Sequence, residues 1–284
     1  MPRGILLLIN CEYFDERLDT PNKKYKRRVT PSTREGTEQD ATALTKLFKD
    51  LGFEVVRLDN PTKKEIGMFM EDMVTEEKMK ENSVCAFTIL SHDGIEEGTV
   101  STKDREIEIK TLVQYYKKEY LAGKPKFFII QACRGGQYMP AIDGGSSKSQ
   151  YGSDGGDVTD SGPRQSEFSD QDQINNLALP SEADFLYAYS TPPEYLSWRN
   201  EKDGSWFIQD LVEVFNDNAD KMHVIDMLAE VNHQMAGRKS EKGDPKNSGK
   251  KQISSCTTQL RKTLFLLPPY ELLREKTEVR PIGK

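Results

Sequence analysis

The chain has 284 residues, a formal net charge of −6, 36% hydrophobic residues and 30% charged residues. This composition is ordinary for a soluble globular protein, and the length allows one large domain or two small ones. No apolar run reaches the roughly 18 residues of a membrane span, and the opening run at residues 4–9 is too short for a signal sequence, so we expect a cytoplasmic protein without a membrane partner.

Short apolar runs alternate with amphipathic stretches, which is typical of a parallel sheet with crossover helices. Strands are predicted at residues 4–9, 54–58, 84–90, 127–130, 185–189 and 263–267. Helices are predicted at residues 36–51, after Pro61, and at residues 107–120, 206–215 and 224–235. The order of these elements indicates an α/β three-layer sandwich.

Residues 137–182, here called the acidic linker, interrupt this alternation. They hold eight acids and two bases, while the other 238 residues hold 38 of each sign. Gly, Ser, Asp, Gln, Asn or Pro occupies 30 of the 46 linker positions, so few large apolar residues offset the entropy of ordering. We interpret the segment as flexible and internal to one fold. Because the remaining body is neutral, the net charge does not indicate partners, and no nucleic-acid partner is expected.

Cysteine and histidine usage indicates neither a disulfide framework nor a metal site. The four cysteines, Cys11, Cys85, Cys133 and Cys256, are unevenly spaced and form no CxxC pair. The three histidines also lack the i, i+4 spacing of ligands on one helix face. We therefore expect a reducing compartment and no metal or other cofactor.

Two reactive side chains directly follow predicted strands. His92 comes after the apolar run 84–91, and Cys133 comes after the run 126–132. Taken singly, such a cysteine is more often a small buried residue and such a histidine a hydrogen-bonded turn residue. Parallel strands bring their carboxyl ends to one edge, where ligands gather, so the two residues together predict a nucleophile and an acid–base partner.

The local sequence Gln131-Ala132-Cys133-Arg134-Gly135 is a caspase signature, with His92 lying 41 residues upstream. The chain resembles an executioner-type caspase from residue 4 to about residue 267. The resemblance is carried by Ser91-His92, residues 128–135, 183–191, 197–200 and 203–208, and Lys250-Lys251-Gln252.

This resemblance implies a caspase-like three-layer α/β/α sandwich with a mainly parallel six-stranded sheet. Residues 1–284 then form a single caspase catalytic domain. Residues 1–160 correspond to its large-subunit region, residues 161–284 to its small-subunit region, and the acidic linker joins the two.

The resemblance also implies a cysteine endopeptidase that cuts after aspartate. Cys133 would attack the scissile carbonyl, and His92 would protonate the leaving amine. Arg34, Gln131 and Arg199 match the residues that bind the substrate carboxylate, a task that suits the planar guanidinium group. All three residues are present.

The chain departs from the family beside the histidine, where the usual His-Gly pair is interrupted as His92-Asp93-Gly94. The oxyanion would be held by the N–H of Cys133 and by one from this loop. Either Asp93 or Gly94 can supply the second donor, and we favour Gly94.

Further positions match the family's neighbouring subsites. They are Ser197, Trp198, Asn200 and Trp206. Trp198 and Trp206 match aromatic walls, and Asn200 matches a group that favours aspartate four residues before the cut. Leu196 stands where executioner members often have tyrosine. The preference for the substrate residue four positions before the cut is therefore open, with aspartate favoured.

The acidic linker contains a DxxD sequence at Asp157-Val158-Thr159-Asp160. We predict processing after Asp160, with Asp143, Asp154, Asp170 and Asp172 as fallback sites. By resemblance, the processed protein is a homodimer of large and small subunit pairs that acts in apoptosis. Its expected partners are protein substrates with aspartate at the cleavage site and an upstream caspase or an inhibitor protein, with the dimer seam at residues 264–267.

The sequence leaves one function other than a protease open and disfavours a second. A catalytically weak homologue that acts as a dimerising regulator or scaffold stays open because of Asp93. A nucleotide-binding protein is disfavoured because Asn10-Cys11-Glu12-Tyr13 stands where a glycine-rich fingerprint would follow the first strand.

Overall fold

The computed structural model describes residues 3–16, 31–142, 179–240 and 248–267. The strands are β1 (Gly4–Asn10), β2 (Phe53–Asp59), β3 (Val84–Leu90), β4 (Thr99–Ser101), β5 (Glu106–Glu108), β6 (Lys126–Gln131), β7 (Phe185–Tyr189), β8 (Arg199–Asn200), β9 (Gly204–Ser205) and β10 (Ser255–Thr258). The α-helices are α1 (Thr37–Asp50), α2 (Lys63–Met73), α3 (Glu76–Lys80), α4 (Ile109–Gln114), α5 (Trp206–Asn218) and α6 (Val224–Gly237). A short 3-10 helix covers Glu119–Leu121.

Six strands form the central sheet in the order β10-β7-β6-β3-β1-β2. The neighbours are parallel except for β10, which pairs antiparallel with β7. Strands β6 and β7 are adjacent although the acidic linker separates them in sequence. The two sides of the linker therefore contribute to one sheet.

Strand β1 shows why the sheet is covered on both faces. Leu6 and Leu8 lie in a core with residues of α1, α5 and α6, whereas Ile5 and Leu7 lie in a second core with residues of α2 and α4. Successive strand residues point to opposite faces, so a strand that is apolar throughout needs a helical layer on each side. The predicted α/β three-layer sandwich with a mainly parallel six-stranded sheet is confirmed.

The predicted strand at residues 263–267 is wrong. Leu264 and Leu266 are 5% and 3% exposed and pack in the core that contains α5 and α6. The carbonyl of Leu264 also accepts a hydrogen bond from Val224 N–H at 2.8 Å. The apolar alternation thus reflects packing against helices, and the dimer seam that we placed on this segment loses its basis. The sixth strand of the sheet is the polar β10.

The predicted helix at residues 107–120 is also wrong in its extent. Its first residues belong to β5, where Ile107 pairs with Val100 of β4. Helix α4 then covers only Ile109–Gln114. The β4–β5 hairpin fixes the loop that follows His92, so this correction bears on the site.

The predicted processing residue Asp160 and most of the acidic linker lie outside the described residues. No helix in the described part of the chain is long and apolar enough to cross a membrane.

Candidate active site

The ends of two neighbouring parallel strands place His92 and Cys133 at one edge of the sheet. Leu90 of β3 is in register with Gln131 of β6, so each reactive residue lies two positions beyond this pair. Ser91 N–H donates to the Gln131 carbonyl at 3.0 Å and extends the pairing to the edge. The structure therefore brings together the two residues that the sequence pairs.

Cys133 is half-buried, and its Sγ accepts a hydrogen bond from Ser197 N–H at 3.3 Å. Burial raises the pKa of the thiol, and the nearby Asp93 carboxylate raises it further. The Ser197 N–H, Arg34 and Arg199 lower this pKa but do not outweigh burial. At neutral pH the resting group is a thiol.

His92 is held by a hydrogen bond between its Nε2 and the carbonyl oxygen of Ser32 at 2.9 Å. A carbonyl oxygen only accepts, so Nε2 carries the hydrogen and Nδ1 is the basic nitrogen. The ring of Phe14 packs 5.3 Å from the imidazole, centroid to centroid. Burial, together with Arg34 and Arg199, lowers the pKa of His92 to about 4, so the imidazole is neutral at pH 7.

Arg34 is the largest fully buried side chain of the described residues, at 1% exposure. Its Nη1 donates to Thr37 Oγ1 at 2.6 Å and to the Cys11 carbonyl at 3.4 Å. Its Nε and Nη2 have no hydrogen-bond partner among the residues that the structure describes. Burial, together with the charge of Arg199, lowers the pKa of Arg34 to about 10. A buried guanidinium with unpaired donors is costly unless an anion satisfies them.

Gln131 and Arg199 complete this pocket. The Gln131 amide donates to Ser197 Oγ at 2.9 Å, and its buried Oε1 has no hydrogen-bond partner in the described part of the chain. Arg199 is half-buried, and its Nε donates to the Glu35 carbonyl at 2.9 Å. Burial lowers the pKa of Arg199, as expected for a cation that is withdrawn from water.

Asp40 is a site residue that the sequence reasoning missed. It is buried in the first turn of α1 and accepts hydrogen bonds from Ser205 N–H at 2.7 Å and Ser205 Oγ at 2.5 Å. Its negative charge raises the pKa of both Arg34 and Arg199. The signal that could have found it is an acid four residues before Leu44, within the apolar stripe of the helix.

The preference for Gly94 as the second oxyanion donor is not supported by the structure. Gly94 N–H already donates to the Thr99 carbonyl at 2.9 Å. Glycine is needed there for space, since a Cβ atom would lie 2.0 Å from Thr99 Oγ1. The alternative donor is Asp93 N–H. Asp93 forms a β-bridge with Val100, and the two hydrogen bonds of this bridge are donated by the N–H groups of Gly94 and Ser101. The bridge therefore does not occupy Asp93 N–H.

The Asp93 carboxylate lies close to the nucleophile. The backbone N–H groups of Asp93 and Gly135 lower the pKa of this carboxylate, but burial raises the pKa more strongly. The carboxylate thus lies beside Asp93 N–H, the remaining candidate for the second oxyanion donor. A cavity of about 500 Å³ opens here, and its lining includes Asp93, Cys133 and Glu194.

Ser197 and Trp198 are fixed by Gln252, a second residue whose role the sequence did not reveal. The Gln252 amide donates to Ser197 Oγ at 3.2 Å and to the Ser190 carbonyl at 2.8 Å, while its Oε1 accepts from Trp198 N–H at 2.6 Å. This buried amide orients the segment that carries Arg199.

The other predicted subsite residues lie next to this segment. Trp198 and Trp206 are stacked, with ring centroids 5.8 Å apart. The Oδ1 atom of Asn200 accepts hydrogen bonds from Lys202 N–H and Asp203 N–H, so it closes the turn after β8. Its amide oxygen is therefore occupied by the turn.

Comparisons with known proteins give matches over most of the chain. A family model described as "Peptidase_C14: Caspase domain" matches residues 3–265. Caspase-3 from Mesocricetus auratus is 38% identical over 267 residues, covering 92% of this chain and 83% of the relative. Caspase-7 from Gallus gallus is 36% identical over 248 residues, covering 86% and 74%. The crystal structure of Caspase-1 from Spodoptera frugiperda superposes with a TM-score of 0.73 at 26% identity, covering 95% of this chain and 91% of that one.

Proposed function

The chain belongs to the caspase family of cysteine peptidases, and from this premise we propose that it is an endopeptidase that cleaves proteins after aspartate. The observation that carries the proposal is the pair of buried donors on Arg34, Nε and Nη2, which have no hydrogen-bond partner among the described residues. An aspartate carboxylate would accept from Nε and Nη2 together, in the bidentate geometry that a guanidinium favours.

The charges around this pocket suit an acidic side chain. Arg34 and Arg199 bring two positive charges close to Cys133, whereas the buried Asp40, whose pKa is raised by burial, offsets at most one of them. The surroundings of the two arginines therefore favour a carboxylate. A lysine or arginine side chain of a substrate would be repelled here.

The proposed chemistry begins with a neutral pair. When the substrate is bound, the Cys133 thiol proton passes to His92 Nδ1, and Sγ attacks the scissile carbonyl carbon. The carbonyl oxygen becomes an oxyanion that the N–H of Cys133 stabilises, together with Asp93 N–H once the Asp93 carboxylate has turned away. His92 then gives its proton to the leaving amine, and water hydrolyses the thioester that remains on Cys133.

We also propose that cleavage of the acidic linker activates the protein. Cleavage after Asp160 would give fragments 1–160 and 161–284, which stay together because β6 and β7 pair along their length. The processed protein would act as a homodimer in apoptosis, in the cytoplasm, on proteins with aspartate at the cleavage site. An upstream caspase and inhibitor proteins are the further partners that the family membership suggests.

One observation favours a second function. Because burial and Asp93 raise the Cys133 pKa, the thiol is weakly reactive at rest, as in a homologue that works as a dimerising regulator or scaffold. Turnover of the fluorogenic peptide amide Asp-Val-Thr-Asp separates the two. We expect hydrolysis after the last aspartate by the wild type and none by Cys133→Ala. No turnover by the processed wild type would favour the scaffold.

A further inference from the structure

The aromatic surface beside the nucleophile includes a residue that the family resemblance does not assign. The Tyr138 ring stacks on Trp198, with centroids 5.6 Å apart and planes inclined by 30°. Trp198 in turn stacks on Trp206, whose ring lies 5.9 Å from the Arg238 guanidinium. Tyr138 comes five residues after Cys133, at the start of the acidic linker.

The backbone on either side of Tyr138 is fixed by two different loops. Gln137 N–H donates to the Glu194 carbonyl at 2.9 Å, and Leu196 N–H donates to the Gln137 carbonyl at 2.9 Å. Lys251 N–H donates to the Met139 carbonyl at 3.0 Å. These hydrogen bonds, together with the stacking, give the Tyr138 ring one defined position.

That position lies where a substrate residue would pass. Ser197 and Arg199 belong to the carboxylate pocket, whereas Trp198 between them turns its ring to Tyr138 and Trp206. In an extended substrate, successive side chains also alternate in direction. The side chain just before the aspartate would therefore point to the Trp198 side, where Tyr138 is 40% exposed.

We propose that Tyr138 is a specificity-determining residue for the substrate side chain immediately before the cleaved aspartate. Its partly exposed ring offers an apolar surface beside Trp198. An apolar side chain at that position would cover the ring and lose contact with water, whereas glycine would gain nothing from it. This inference rests on the proposed cleavage after aspartate.

The test compares the peptide amides Asp-Val-Val-Asp and Asp-Val-Gly-Asp on the full chain after processing. For the wild type we expect a higher kcat/KM on the valine peptide. In Tyr138→Ala the ratio of the two kcat/KM values should fall about tenfold, the discrimination expected of an apolar contact. Tyr138→Phe should keep the wild-type ratio, because it keeps the ring. Both values come from one preparation, so the ratio does not depend on the folded fraction.

Ile142→Ala is the matched control, because Ile142 lies in the same segment and is 89% exposed. Its ratio should equal that of the wild type. If the ratio of the two kcat/KM values is unchanged in Tyr138→Ala, the inference is overturned. An equal rise of kcat/KM on both peptides would also overturn it, because Tyr138 would then block the subsite. If the wild type cleaves neither peptide, nor any other after aspartate, the proposed function fails instead.

Discussion

The Nε2 atom of His92 lies 2.9 Å from the carbonyl oxygen of Ser32, and Arg34 follows two residues later. One short segment thus orients the imidazole and supplies the buried guanidinium of the carboxylate pocket. The charge of Arg34 lowers the pKa of His92 and also that of Cys133, the proposed nucleophile. In the proposed mechanism, residues 32–34 would therefore link substrate binding at Arg34 to proton transfer at His92.

The pH dependence of Cys133 alkylation tests the neutral resting pair. Because burial raises the pKa of the Cys133 thiol and lowers that of His92 to about 4, few molecules hold a thiolate and an imidazolium together at pH 7. The reactive thiolate forms as pH rises through a raised pKa, so the rate of iodoacetamide alkylation should still be rising at about pH 9, past the pKa of an ordinary thiol.

The measurement follows the peptide that contains Cys133 by mass spectrometry, in a Cys256→Ser background that removes the exposed cysteine. A rate that levels off below pH 7 would mean that an ion pair already exists in the free protein, and the neutral resting pair would then be incorrect.

Replacing Asp93 should make Cys133 more reactive. The negative carboxylate raises the pKa of the thiol, so Asp93→Asn should lower that pKa and increase the thiolate fraction at pH 7. Alkylation at pH 7 should therefore be severalfold faster, and kcat/KM should rise in the same direction. Glu96→Gln is the control, since it removes an exposed acid from the same cavity wall. Equal effects of the two substitutions would contradict a specific role for Asp93.

Arg34→Lys should nearly abolish cleavage after aspartate even though it keeps a positive charge. Lysine cannot offer the two parallel donors that Nε and Nη2 present. Its single nitrogen also cannot keep the Nη1 hydrogen bond to Thr37 Oγ1 while it binds a carboxylate in the same way. The loss of two charge-assisted hydrogen bonds predicts a fall in kcat/KM of about 100-fold. Steady-state kinetics on Asp-Val-Thr-Asp checks this, with Arg105→Lys, an exposed position, as the control. A fall of less than about threefold would remove Arg34 from substrate binding.

Most of the sheet could be predicted because β1, β3, β6 and β7 are buried almost throughout and so read as apolar runs. The edge strand β10 (Ser255–Thr258) could not be predicted in this way, since its residues are mostly exposed. Its place in the sheet comes from hydrogen bonding to β7 and leaves little trace in the polarity of its side chains. The alternation of Leu264 and Leu266 looked more like a strand but arises from packing on helices.

The site was predicted to different depths for a similar reason. His92 and Cys133 follow from strand ends, which are local features of the sequence. Asp40 meets Ser205 across 165 positions, and Tyr138 meets Trp198 through two loops, so neither contact has a local signature. Gly94 shows the limit of motif matching, since its N–H is already bonded within the hairpin.

Asp160→Ala should block the main cleavage of the acidic linker while leaving the fold intact. In the wild type, we expect two fragments on a denaturing gel that elute together in size-exclusion chromatography, because β6 and β7 stay paired after the connection between them is cut. Mass spectrometry should give Ser161 as the first residue of the smaller fragment. Asp172→Ala, another aspartate of the same linker, should be processed like the wild type. Unchanged cleavage in Asp160→Ala would contradict this account of activation, because the cut would then lie elsewhere. Separation of the fragments without denaturant would contradict it as well, because one sheet would then not hold both fragments together.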